Sequence, residues 1–165
     1  MPVNVIYGIL ALLMIAAAFG APSEDRRRAV AVSVLLFANW VCFVLAWTDY
    51  KPKLVFAAVG MPLTNIDMWA LLDALAASCI IAVAYDRWWG LALWGMLVAQ
   101  LAGHSLYQGG LVAYAPYSAA LDALFLAQVA VFLLLGGGGI VNLVARIRAG
   151  PGGSALSVEA PEKGA

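Results

Sequence analysis

The sequence predicts an all-α, polytopic transmembrane bundle of about five spans, with the N-terminus outside and the C-terminus inside. Three observations carry that expectation. The chain is 65% hydrophobic and 11% charged, with a mean hydropathy of +0.94, which does not fit a surface that faces water. Several runs approach the roughly 20 apolar residues that a helix needs to cross the hydrocarbon layer. Lysine and arginine then fall almost entirely on one side of the spans so drawn.

The first span is Val3–Phe19, followed by a Pro-Ser-Glu-Asp-Arg-Arg-Arg turn. A cleaved signal peptide is the rival reading, because Ala18-Phe19-Gly20-Ala21 offers small residues at a cleavage site. It is set aside because no basic residue precedes the apolar run and because cleavage would leave Arg26, Arg27 and Arg28 on the translocated side. Ser23, with Glu24 and Asp25 behind it, has the chemistry of a helix start: acids at the positive end of the helix dipole. The second span covers 29–47. The stretch 48–65 is the longest connection, and its apolar piece, 54–61, is too short to cross and is expected to lie in the interface.

Spans three (66–85) and four (88–107) are separated by Asp86 and Arg87 alone, which forces a tight antiparallel hairpin. A Gly- and Tyr-containing stretch, 108–117, leads to span five, 118–135, which the glycines at 136–139 are expected to interrupt. Residues 140–148 read as a short amphipathic foot, so the bundle fills 1–149 and the Gly-, Pro- and Ser-containing tail, 150–165, reads as disordered and cytoplasmic. Arg26, Arg27, Arg28, Arg87, Arg146, Arg148 and Lys163 fall on one side and Lys51 and Lys53 on the other, so the first side is cytoplasmic. Trp47, Trp69, Tyr107, Tyr114 and Tyr117 then sit at the outer interface, and Trp88 and Trp89 at the inner one. Cys42 and Cys79 have no C-x-x-C spacing and read as small apolar packers.

Ionisable residues within these spans carry the chemical information, since a charge at the centre of a membrane helix costs roughly 2.5 to 3.5 kcal/mol on insertion scales. At about 1.5 Å of rise per residue, they form a graded set in the outer half. Asp122 and His104 lie near the outer ends of spans five and four, Asp73 and Gln100 about a turn deeper, and Asn39 near the middle of span two. Gln100, His104 and Tyr107 follow at four- and three-residue intervals and share a helix face. Ala70, Ala74, Ser78 and Ala82 make an every-fourth small stripe on span three, and Ala99 and Gly103 repeat it on span four, the pattern of a close helix seam beside Asp73.

Three readings compete for this set. The most ordinary is interhelical hydrogen bonding that fixes helix register, at about 0.6 kcal/mol per bond in membranes. A second is a hydrated, outward-facing pocket that binds a small ligand or moves protons, as intramembrane Asp and His chains do. The third, a divalent ion between His104, Asp73 and Asp122, has no spacing motif behind it, so no metal and no other cofactor is expected. Zero net charge argues against nucleic acid as a partner. No nucleophile elbow, phosphate loop or dinucleotide fingerprint occurs, so an enzyme is not expected.

In length, span number and its six tryptophans the chain is similar to the tryptophan-rich sensory proteins, but the stretch 21–28 has no counterpart of that family's proline-and-tryptophan-rich first loop. The pattern Asp73, then Asp86-Arg87-Trp88-Trp89, then Gln100-x-x-x-His104-x-x-Tyr107, running on to Asp122, resembles that of small uncharacterised multi-span membrane proteins of alphaproteobacteria and their phages. That resemblance implies a bacterial inner-membrane, multi-pass protein and no particular activity. The leading expectation is a small non-enzymatic membrane protein whose polar cluster binds a small ligand or a proton, or locks the bundle for assembly with a second copy or another membrane protein. The alternative is a phage-type holin or pore-forming lysis protein, favoured by small size but opposed by the confinement of polarity to one half of the membrane.

Overall fold

The computed structural model describes residues 3–47, 60 and 64–149. The expected 54–61 interfacial piece, Lys51, Lys53 and the 150–165 tail therefore lie outside the described residues, apart from Gly60, which turns with a φ of 79°. The described residues form α1 (Val3–Phe19), α2 (Ser23–Trp47), α3 (Asn65–Ala84), α4 (Trp88–Gln108) and α5 (Tyr114–Ala149), with no strand among them. The all-helical expectation holds. Three helices, over Ser23–Leu45, Asn65–Ala84 and Tyr114–Gly139, are long and apolar enough to cross a membrane. The apolar part of α1, Val5–Phe19, is shorter, and α4 is diluted by Gln100, His104, Gln108 and three tryptophans.

Each helix packs on its neighbours in chain order, and α1 returns to α5, so the five close into a ring. Half of the interior is apolar and dense: Met14, Val32, Ile80, Trp89, Leu93, Leu97 and Phe132 are fully buried there. The outward faces are apolar as well. Leu12 is 55% exposed, Leu75 55%, Leu126 52% and Leu134 76%, spread over three helices that would otherwise present a continuous greasy surface to water.

Helix ends follow local chemistry. The Pro22 carbonyl accepts from the Asp25 and Arg26 amides, so α2 starts at Ser23 as expected, with Glu24 and Asp25 in its first turn. The arginine trio consequently rides on α2 and not in a turn. Thr64 caps α3: its hydroxyl accepts from the Asp67 amide at 3.2 Å and the Asp67 carboxylate accepts from the Thr64 amide at 2.7 Å, a reciprocal box. The two-residue hairpin between α3 and α4 is as expected, and Gly110, at a φ of 70°, turns the chain after α4.

Four expectations are corrected. First, α5 is not interrupted at 136–139; it runs 36 residues without a break. These glycines are contact surface: a Cβ on Gly136 would strike the Ala17 backbone carbonyl, and one on Gly139 would strike the Gly20 backbone. Their absent side chains let α1 and α5 touch backbone to backbone. Second, α5 starts at Tyr114, four residues early, because Pro116 in the first helical turn has no amide that the turn needs. Third, the small stripes are not the seam. Ser78, Ala82 and Ala99 are exposed and nothing meets a Cβ built on Gly103, whereas the buried stripe of α3 is Trp69, Asp73, Ala76, Ala77, Ile80 and Ala84. The contact in this hairpin mixes Trp69 and Ile80 with a different set of small residues, Ala76, Ala77 and Ala84, the last packed against Gly90. Fourth, Cys42 and Cys79 are exposed and do not pack inside.

At the arginine-bearing end, Arg28 pairs with Asp86 at 2.6 Å, and Arg87 reaches Asp25 at 3.2 Å and Glu24 at 3.8 Å. These pairs tie the start of α2 to the α3–α4 hairpin.

Candidate polar cavity

At the opposite end the ring does not close on itself. It surrounds a cavity of about 430 Å³, within the range of roughly 300 to 1,000 Å³ typical of small-molecule sites. All five helices contribute: Tyr7 from α1; Leu36, Asn39, Trp40 and Phe43 from α2; Trp69, Leu72 and Asp73 from α3; Gln100 and His104 from α4; and a stripe from Tyr114 to Gln128 on α5.

One wall is a chain of hydrogen bonds across four helices. The Asn39 amide donates to Asp73 Oδ1 at 2.9 Å. Asp73 Oδ2 lies 3.1 Å from His104 Nε2, and His104 Nδ1 lies 2.6 Å from the Tyr117 hydroxyl. An ionised Asp73 can only accept, which assigns the proton to Nε2 and leaves Nδ1 to accept from Tyr117. In that arrangement a neutral His104 has both ring nitrogens satisfied, and every donor along the chain points toward Asp73. Protonating His104 would make Nδ1 a donor and turn the Tyr117 hydroxyl away. The three central members are deeply enclosed: His104 is 2% exposed, Tyr117 3% and Asp73 8%. Trp69 packs near the His104 ring at 6.3 Å, and Tyr107 stacks flat on Tyr117 at 4.5 Å.

A second polar pair lies beside it, where Gln128 donates to Gln100 at 3.2 Å. On the α1–α5 side, Tyr7 stands beside Asp122 on the cavity wall, and the Tyr7 ring meets Phe125 edge-on at 4.9 Å. Asp122 itself is exposed.

Of the residues singled out from sequence, Asn39, Asp73, Gln100, His104 and Asp122 all line this cavity. Tyr107 shares the helix face but backs Tyr117 from behind. Asp122 does not join His104. It follows Tyr117 by five residues, a rotation of about 140° on a helix, so α5 aims Tyr117 at α4 and Asp122 at α1. The outer aromatic belt expected from sequence loses Tyr117 and Trp69, which are both buried beside His104. Tyr7 and Gln128 are cavity residues that sequence reasoning misses. A stripe at three- and four-residue spacing, Tyr114, Tyr117, Leu121, Phe125 and Gln128, is visible in the sequence once α5 is started early enough.

Among the described residues no group of three or more His, Cys, Asp or Glu is arranged to hold a metal ion. The cavity can therefore accept and donate hydrogen bonds, hold negative charge at two carboxylates, and present aromatic faces. No protein-family model matches the chain, and neither does any curated protein or solved structure.

Proposed function

We propose that this chain is a small, non-enzymatic, multi-pass protein of a bacterial inner membrane that binds a small ligand in a hydrated cavity in the outer half of the bilayer. The N-terminus is outside and the C-terminus inside, with α1 and α4 crossing alongside the three longer helices. The observation that carries the reading is the Asn39–Asp73–His104–Tyr117 chain along the wall of a cavity of about 430 Å³. Register-fixing hydrogen bonds alone need no empty volume beside them, because helices that are merely glued together pack to interior density. The excess of lysine and arginine at the opposite end supports the orientation.

Cysteine reactivity tests it. In a chain with Cys42→Ala and Cys79→Ala, Ser118→Cys lies on the cavity wall and Leu126→Cys, on the same helix, points outward. A charged, water-soluble thiosulfonate added to whole cells should modify Ser118→Cys and leave Leu126→Cys untouched, because a thiol in hydrocarbon does not ionise. Equal silence at both positions would mean a dry interior and a purely structural cluster.

A further inference from the structure

We propose that the ligand is an amphipathic organic cation, an amine or quaternary ammonium on an apolar body, with its charge held at Asp122. The inference rests on the cavity being a ligand site. Charge is the first argument. Asp73 and Asp122 both line the cavity, and among the described residues no lysine or arginine lines it. An anion there would meet two carboxylates with no cation among the described lining residues to offset them.

The two carboxylates are not equivalent. Asp73 accepts from Asn39 on one oxygen and from His104 on the other, so both of its oxygens have donors within the chain. Asp122 has only the neutral Tyr7 beside it. An ionised carboxylate facing a hydrated cavity within a membrane span marks a site for a ligand or a partner, and among the described residues of this end no cation is paired with it. A ligand cation would supply the pair.

Aromatic geometry points the same way. The Tyr7–Phe125 pair stands beside Asp122, and Trp40 and Trp69 also line the wall. Rings of this kind attract a cation within about 6 Å of the face, Trp most strongly. Leu36, Leu72 and Leu121 complete the lining and give an apolar body somewhere to sit.

The test uses the full chain in nanodiscs of zwitterionic lipid, with calorimetric titration of three probes that share one benzyl body. Benzyltrimethylammonium should bind saturably, and benzyl alcohol and benzoate at least about tenfold more weakly. Asp122→Asn should weaken the cation by a similar factor, and Asp122→Glu should restore most of it. Benzoate or benzyl alcohol binding as well as the cation would overturn the charge assignment while leaving a ligand site in place. Unchanged cation affinity in a folded Asp122→Asn would overturn the role of Asp122. Absence of saturable binding by all three probes would overturn both the cation and the ligand-site reading.

Discussion

His104 Nδ1 and the Tyr117 hydroxyl lie 2.6 Å apart inside the bundle, joining two helices at residues that are 2% and 3% exposed. Tyr117→Phe would leave the ring packed on Tyr107 while stripping Nδ1 of its donor. A buried acceptor without a partner costs about 1 to 3 kcal/mol, so thermal unfolding in detergent should start at lower temperature. An unchanged melting temperature would show that Nδ1 finds a partner elsewhere, water in the cavity included.

Asp73 and His104 give a coupled pair. Asp73→Asn and His104→Gln should each destabilise, and the double mutant should lose less than the sum, with a coupling of about 0.5 to 3 kcal/mol for residues in direct contact. Strict additivity would contradict the 3.1 Å contact.

The pairing of these two residues is legible in the sequence, because a two-residue hairpin brings α3 and α4 together and a residue-by-residue height puts Asp73 and His104 within reach. The seam is not. Spacing of small residues nominates Ala70, Ala74, Ser78 and Ala82, but the buried face of α3 runs through Asp73, Ala76, Ala77, Ile80 and Ala84, because alanines occur all round this helix and their spacing alone does not choose a face. Asp122 is misplaced for a related reason: height along a span says nothing about direction around it, and direction depends on where α5 begins. Hydropathy alone puts that start at Ser118, which hides the Tyr114–Tyr117 turn inside a loop.

Glycine contacts separate two positions one residue apart. Gly136→Ala would drive a methyl group into the Ala17 carbonyl, whereas nothing lies within 4 Å of a Cβ on Gly137. Gly136→Ala should destabilise by about 1 to 3 kcal/mol. Gly137→Ala should be neutral, or stabilising by up to about 1 kcal/mol through helix propensity. Equal effects in detergent melting would mean that α1 and α5 do not touch there.

At the arginine end, the hydrogen bond from Arg28 holds the Asp86 carboxyl below the ordinary carboxylate value. Because the folded value is the lower one, its contribution to stability is present above the unfolded value, about 3.9, and is lost as pH falls through the folded value. Comparing the chain with Asp86→Asn should show a melting difference at neutral pH that disappears in acid, and one that shrinks in high salt because both side chains are exposed. A difference independent of pH would place the effect in packing and not in charge.

The chain has a single histidine, so its imidazole can be observed without assignment. With ¹⁵N-labelled histidine in a lipid bilayer, the hydrogen-bond chain gives one nitrogen that carries the proton toward Asp73, Nε2, and one bare, hydrogen-bonded nitrogen, Nδ1, with the Nδ1 resonance alone moving strongly in Tyr117→Phe. Two averaged resonances, as a freely exchanging imidazole gives, or a spectrum indifferent to Tyr117→Phe, would contradict the Asp73–His104–Tyr117 chain on which the cavity reading stands.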